Sequence, residues 1–192
     1  MGKKIIDKNQ RGFTLLEILV SLSLFTLAII LVGSMYSLSQ RSYNKGAGKG
    51  ELVQNARVSL DRITRELRQS VNIVTDLPET DSDPLDPPAE EIFFQDGHDA
   101  SQITYLRYYL DSTDLKWSHI AYYFSSEPDT YVTYDSVDQN GNPPQELVED
   151  RIIGEYFNQL QFWGSSSLIH LSFALEKNQD SFNINSSVFR RN

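Results

Sequence analysis

The sequence predicts an α+β fold, with a long N-terminal helix laid against a mostly antiparallel sheet. Three observations predict it. An apolar character, interrupted only by single polar residues such as Glu17, Ser21, Ser23 and Thr26, runs from Phe13 to about Tyr36. Apolar residues then recur at spacings of three and four between Glu51 and Val74. From Glu91 onward, short segments rich in Tyr, Phe and Ile alternate with turn residues, the pattern of strands. The chain divides into residues 1–12, a basic leader; 13–36, an apolar helix; 37–75, a linker and the amphipathic continuation of that helix; and 76–192, a β-rich globular domain.

The leader carries Lys3, Lys4, Lys8 and Arg11 against Asp7, a net +3, so the rest of a chain of net charge −9 carries −12. Such an acidic body argues against nucleic-acid binding, which needs clustered Lys and Arg on phosphates. The sequence has no cysteine, which excludes disulfides, thiol catalysis and cysteine-ligated metals.

The stretch from Phe13 to Tyr36 makes about 36 Å of helix, enough for a hydrocarbon layer of about 30 Å. Three readings compete for it. A secretory signal peptide has the basic start, but this run is long and no small-x-small cleavage site closes it. A plain transmembrane anchor fits the length, with the leader cations holding the N-terminus in the cytoplasm and Arg41, Lys45 and Lys49 opposing them on the other side. The third reading uses the details of Arg11-Gly12-Phe13-Thr14-Leu15-Leu16-Glu17. A glycine stands directly before the apolar run and a lone acid at the fifth position after it. An acid inside a membrane helix costs about 2.5–3.5 kcal/mol at the bilayer centre and less near the headgroups. Either Glu17 sits near the headgroups or it has a cationic partner. Cleavage after Gly12 would create one, an α-amino group on Phe13 whose reference pKa near 7.7–8.0 leaves it largely protonated.

This segment resembles the processing motif of type IV prepilins and of the pseudopilins of type II secretion. The resemblance implies that a membrane-embedded prepilin peptidase cuts after Gly12 on the cytoplasmic side and N-methylates Phe13. It implies that Glu17 neutralises the N-terminal amine of a neighbouring subunit, while the apolar helices pack as a filament core. Many major pilins bend this helix at a proline; here the region around Gly33-Ser34 has none, which suits a pseudopilin or minor pilin at least as well.

Between Ser37 and Gly50 the chain is polar, and Gly46, Gly48 and Gly50 predict a loosened or bent helix, either a linker or a locally melted stretch. From Glu51 to Val74 the residues Val53, Ala56, Leu60, Ile63, Leu67 and Val71 share one helix face, opposite Arg57, Asp61, Arg65 and Arg68. Asp76–Glu91 combines seven acids with Pro78, Pro84, Pro87 and Pro88 and reads as an exposed loop; its spacing matches no defined calcium loop. Strands are predicted at Glu91–Gln95, Gln102–Asp111, Trp117–Ser125, Thr130–Tyr134, Asn158–Trp163, Leu168–Leu175 and Phe182–Phe189, with a hairpin turn at Asp111-Ser112-Thr113-Asp114 and another turn at Asn140-Gly141. Leu60–Gln69 and the ending Ser187–Asn192 resemble, more loosely than the N-terminus, the J-type minor pseudopilins of the PulJ/GspJ group and the related PilW-like minor pilins.

Catalytic patterns are sparse. His98, His119 and His170 lie far apart and no pair has metal-ligand spacing. Asp96-Gly97-His98-Asp99 reads as turn chemistry before cation binding. Ser136–Gly141 departs from a calcium loop at two ligand positions, with Ser136 for the first acid and Leu147 for the closing one. No nucleophile elbow, phosphate loop or dinucleotide fingerprint is present. Tyr105, Tyr108, Tyr109, Tyr122, Tyr123 and Phe124 are better explained by packing on the helix than as a ligand platform.

The expectation is therefore an assembly subunit, with no catalytic residues, metal or cofactor. The resemblance implies a minor subunit, at or near the tip of a type II secretion pseudopilus or type IV pilus. Its implied partners are the prepilin peptidase, other pilins or pseudopilins, the inner-membrane assembly platform and the membrane itself, which the chain would cross once with its C-terminal domain outside the cytoplasm. The alternative is a membrane-tethered extracytoplasmic domain that binds carbohydrate or calcium and joins no filament.

Overall fold

The computed structural model describes residues 13–99 and 101–191; the leader, with Gly12, lies outside them. The chain divides into two compact units, one running to Gly46 and one beginning at Ala47. Helix α1 (Leu15–Gln69) supplies the first and opens the second. The expected loosening at Gly46, Gly48 and Gly50 does not occur, and helical structure continues through all three. A penalty of about 1 kcal/mol per glycine is small beside the contacts made at the start of the second unit. Leu52 is fully buried there, and Glu51 is ion-paired at 2.6 Å with Lys177.

In the first unit no residue between Phe13 and Gly46 is buried. Leu16, Leu22, Phe25, Ile30 and Val32 face outward on all sides of the helix. A helix apolar all round belongs inside a membrane or a larger core. It is long and apolar enough to cross a membrane. Three of its hydroxyls are satisfied within the helix: Ser23, Thr26 and Ser34 donate to the carbonyls of Val20, Leu22 and Ile30. That removes the cost of leaving them unpaired in hydrocarbon.

The second unit is α+β. One antiparallel sheet contains β1 (Asn72–Ile73), β2 (Ile92–Gln95), β3 (Thr104–Asp111), β4 (Asp114–Phe124), β5 (Glu127–Val132) and β6 (Gln145–Gly154). They are ordered β1-β2-β3-β4. Beyond the end of β3, β5 pairs with Tyr122–Phe124 of β4, and β6 runs along the opposite side of β4. The second sheet is the meander β7 (Phe157–Gly164), β8 (Leu168–Lys177) and β9 (Asp180–Phe189). As expected, β3 and β4 meet in a two-residue turn, with Asp111 opposite Asp114 and Ser112 in the left-handed region at φ 58°.

One core joins the helix to both sheets. Leu52, Ala56, Ile63 and Leu67 of α1 pack with Phe94, Leu106 and Tyr108 of the first sheet and Phe157, Phe162 and Phe173 of the second. Each large side chain so buried contributes about 1.5–3 kcal/mol. The buried stripe of α1 is Leu52, Ala56, Ser59, Ile63 and Glu66–Leu67, so it is rotated from the predicted face: Val71 is exposed, and the polar Ser59 and Glu66 are buried. The helix also ends at Gln69, not Val74. Beyond it the chain becomes an edge of the sheet, Val71 donating to the Gln95 carbonyl and Asn72–Ile73 pairing with β2. The predicted strands all appear, with ends shifted by a few residues; β1 and β6 are additional.

Candidate functional site at the head of the apolar helix

Phe13 is exposed and lies outside the helix, which begins two residues later. Thr14 is the N-cap. Its backbone N–H donates to Glu17 Oε2 at 2.9 Å, its hydroxyl donates to the same oxygen at 3.0 Å, and the Glu17 N–H donates to Thr14 Oγ1 at 3.3 Å. This is a capping box, in which the N-cap side chain and the acid three residues on satisfy each other's backbone donors. The lone acid of the apolar run is thus partnered by the chain itself, and its negative charge lies at the positive end of the helix dipole. The box also fixes where the helix starts, leaving Phe13 outside the first turn. The Thr14-x-x-Glu17 spacing was readable in the sequence, yet attention to the acid alone passes over its threonine partner.

Residues 7–33 match the family defined by the prokaryotic N-terminal methylation motif. The chain thus carries a type IV pilin-like leader and methylation motif, the substrate signal of a prepilin peptidase. The match spans Gly12, Phe13, Thr14 and Glu17. No curated protein and no solved structure matches the chain.

Elsewhere the candidate residues are engaged in structure. Imidazole Nδ1 of His98 bonds Asp96 Oδ1 at 2.6 Å. His119 stacks on Trp117 at 5.9 Å, and His170 stacks on Trp163 at 5.6 Å while bonding the Ser187 hydroxyl. Asp99 accepts the backbone N–H and hydroxyl of Ser101, which holds its carboxyl below the usual carboxylate range. Both oxygens of Asp138 are used within its own turn, by the backbone N–H groups of Asn140 and Asn142 and by the Asn142 amide. Those bonds depress its pKa. Among the described residues no group of three or more metal-ligating side chains converges.

The aromatic set separates. Tyr108 joins the core beneath α1, whereas Tyr105 packs on the other face of the sheet with Phe93, Tyr122 and Tyr134. Arg107 covers the ring of Tyr109 at 4.8 Å and pairs with Glu91. These contacts line one side of an open polar cleft of about 470 Å³ between the segment just before β2, strand β3 and strand β7.

Proposed function

We propose that the chain is a minor pseudopilin or pilin subunit. It is cut after Gly12 by a prepilin peptidase, methylated on the new Phe13 amine, and assembled into a type II secretion pseudopilus or a type IV pilus at or near its tip. Before assembly the apolar helix anchors it once in the inner membrane, with the unit from Ala47 outside the cytoplasm. The observation that carries this reading is the capping box at the head of an exposed apolar helix, within the matched motif. A helix that starts after Thr14 leaves Phe13, the residue that follows the proposed cut, outside the helix. A carboxylate fixed in the first turn is placed to attract the cationic amine of a neighbouring helix, an attraction strengthened by the low dielectric of the membrane.

The test is the intact mass of membrane-extracted protein made with and without an active prepilin peptidase. Loss of residues 1–12 and gain of one methyl, only with the peptidase, is the expected result. A full-length chain in both samples overturns the reading and leaves a tethered domain. Glu17→Leu separates processing from assembly: cleavage should persist while incorporation into sheared filaments falls, and unchanged incorporation would remove the proposed role of the carboxylate.

A further inference from the structure

The longest open edge of the first sheet is β6, which pairs with β4 along one side and, among the described residues, with no strand along the other. Its first eight residues, Gln145–Ile152, are all exposed. Leu147, Val148 and Ile152 are among them, 57%, 43% and 55% exposed. A long edge strand with exposed apolar side chains is a template for pairing with another chain. The sheet's other open edges are β1, two residues long and too short to template much, and β5, six residues long and carrying Pro128, which has no N–H to give a ladder. In the second sheet β9 is also an edge; along it Ser181, Asn183, Asn185 and Ser187 are exposed, small and polar, and its exposed large apolar residue, Phe189, stands alone at its end.

We propose that β6 is a docking edge that takes up an extended, lysine- or arginine-bearing strand of a different protein. Backbone hydrogen bonds would give the added strand its affinity and alternate side chains its specificity, the mode of strand addition. The charge on the edge selects the occupant. Glu146, Glu149 and Asp150 lie along it with a single cation, Arg151, which is paired to Glu149. Asp150 accepts a hydrogen bond from Ser118 on β4, which fixes its position without neutralising it. Glu146, Val148, Asp150 and Ile152 share one face of β6, so a basic strand that alternates cation and apolar residue at every second position places its cations beside Glu146 and Asp150 and its apolar residues beside Val148 and Ile152. A second copy is disfavoured, because pairing β6 with itself brings two sets of these carboxylates to one seam, and like charges across strands destabilise. The repulsion extends beyond the seam: residues 1–46 carry +4 of a total of −9, so the unit from Ala47 carries −13.

Docking at β6 involves the second unit alone and does not depend on leader cleavage. The test uses the full chain in mild detergent, with two synthetic seven-residue peptides as probes: Val-Ser-Lys-Ser-Val-Ser-Lys, whose valines and lysines all fall on one strand face, and the same peptide with glutamate for each lysine. The lysine peptide should bind, should slow amide hydrogen exchange within residues 145–152, and should bind less as salt rises. Val148→Lys and Ile152→Lys, both at exposed positions, should each weaken it by about tenfold or more while leaving the thermal unfolding midpoint unchanged. Equal binding of the two peptides, protection confined to other segments, or indifference to both substitutions overturns the proposal. So does protection of β6 that rises with protein concentration in the absence of peptide, which would assign the edge to a second copy.

Discussion

Glu66 is 8% exposed, on a helix face shared with Leu52, Ala56, Ser59, Ile63 and Leu67. A buried carboxylate costs several kcal/mol unless it is partnered. Two groups partner it: Arg62 Nε at 3.2 Å, one turn earlier on α1, and the Tyr108 hydroxyl on β3. Arg62 in turn lies over the Trp117 ring at 4.6 Å, and Trp117 sits directly opposite Tyr108 across the β3–β4 pair. The four side chains join helix to sheet through polar contacts inside an apolar core. Burial, and secondarily the neighbouring carboxylate, hold the Tyr108 hydroxyl protonated well above its ordinary pKa of 10.0. Below about pH 10 both folded and unfolded chains hold this proton, and the stabilisation is complete. Above it the unfolded chain releases the proton while the folded chain keeps it, so stability falls as pH rises. Tyr108→Phe should lower stability at pH 7 by about 1–3 kcal/mol, the cost of a buried acceptor losing a donor. It should also flatten the alkaline fall, leaving the part due to Tyr105 and Tyr122, whose pKa values burial also raises. Urea unfolding at neutral pH and above pH 10 measures both effects; a variant as stable as its parent would show that the hydroxyl contributes no net stabilisation.

At the scale of elements, legibility in the sequence depends on local pattern. The apolar helix, the turn at Ser112-Thr113 and the strands from β2 to β9 other than β6 carry their signal in residues a few positions apart. Among them, β8 alternates intermediate and buried residues from Leu168 to Leu175, which is the pattern its sequence shows. By contrast β6 has no such alternation, because both its faces meet solvent and nothing selects apolar residues on one of them. A two-residue β1 is below any periodic signal. The buried face of α1 was misplaced by Glu66 and Ser59, since hydrophobic periodicity scores a buried acid as surface and cannot register a partner 42 residues away. The head of α1 was legible in part, because Gly12, Phe13 and Glu17 lie within one short stretch, while the N-cap Thr14 between them was passed over. The end of α1 was not, because it is set by a distant contact. After β2 the chain passes so close to the helix that a Cβ on Gly97 would lie 1.8 Å from the Gln69 carbonyl oxygen. Backbone, unlike the tip of a flexible side chain, cannot swing aside. Gly97→Ala should therefore destabilise the second unit by about 1–3 kcal/mol, the usual cost of overpacking, although its φ needs no glycine. A urea midpoint equal to that of the parent would mean that the end of α1 yields without loss.

At the scale of the whole molecule, the two units make opposite demands on their surroundings. Among the described residues every buried apolar side chain lies at or beyond Leu52, while the exposed large apolar residues are concentrated between Phe13 and Tyr43. The first unit is therefore stable where water is absent, and the second holds its own core in water. Without cysteine, that core relies on burial and hydrogen bonding alone. Cutting the chain before Ala47 removes no residue of the core and keeps the Glu51–Lys177 pair. It also leaves a strongly acidic chain, and high net charge of one sign favours solubility. A fragment spanning residues 47–192 should be soluble without detergent, run as a monomer, and unfold in one cooperative urea transition, with its midpoint matching that of the same region in the detergent-extracted chain. Near-ultraviolet circular dichroism from the buried Tyr105 and Tyr108 tracks the transition directly. A fragment that aggregates, or that keeps far-ultraviolet signal while losing the near-ultraviolet band, would mean that the apolar helix contributes to the core. It would then be more than an anchor, since withdrawing it from the membrane into an assembly would change the stability of the domain it carries.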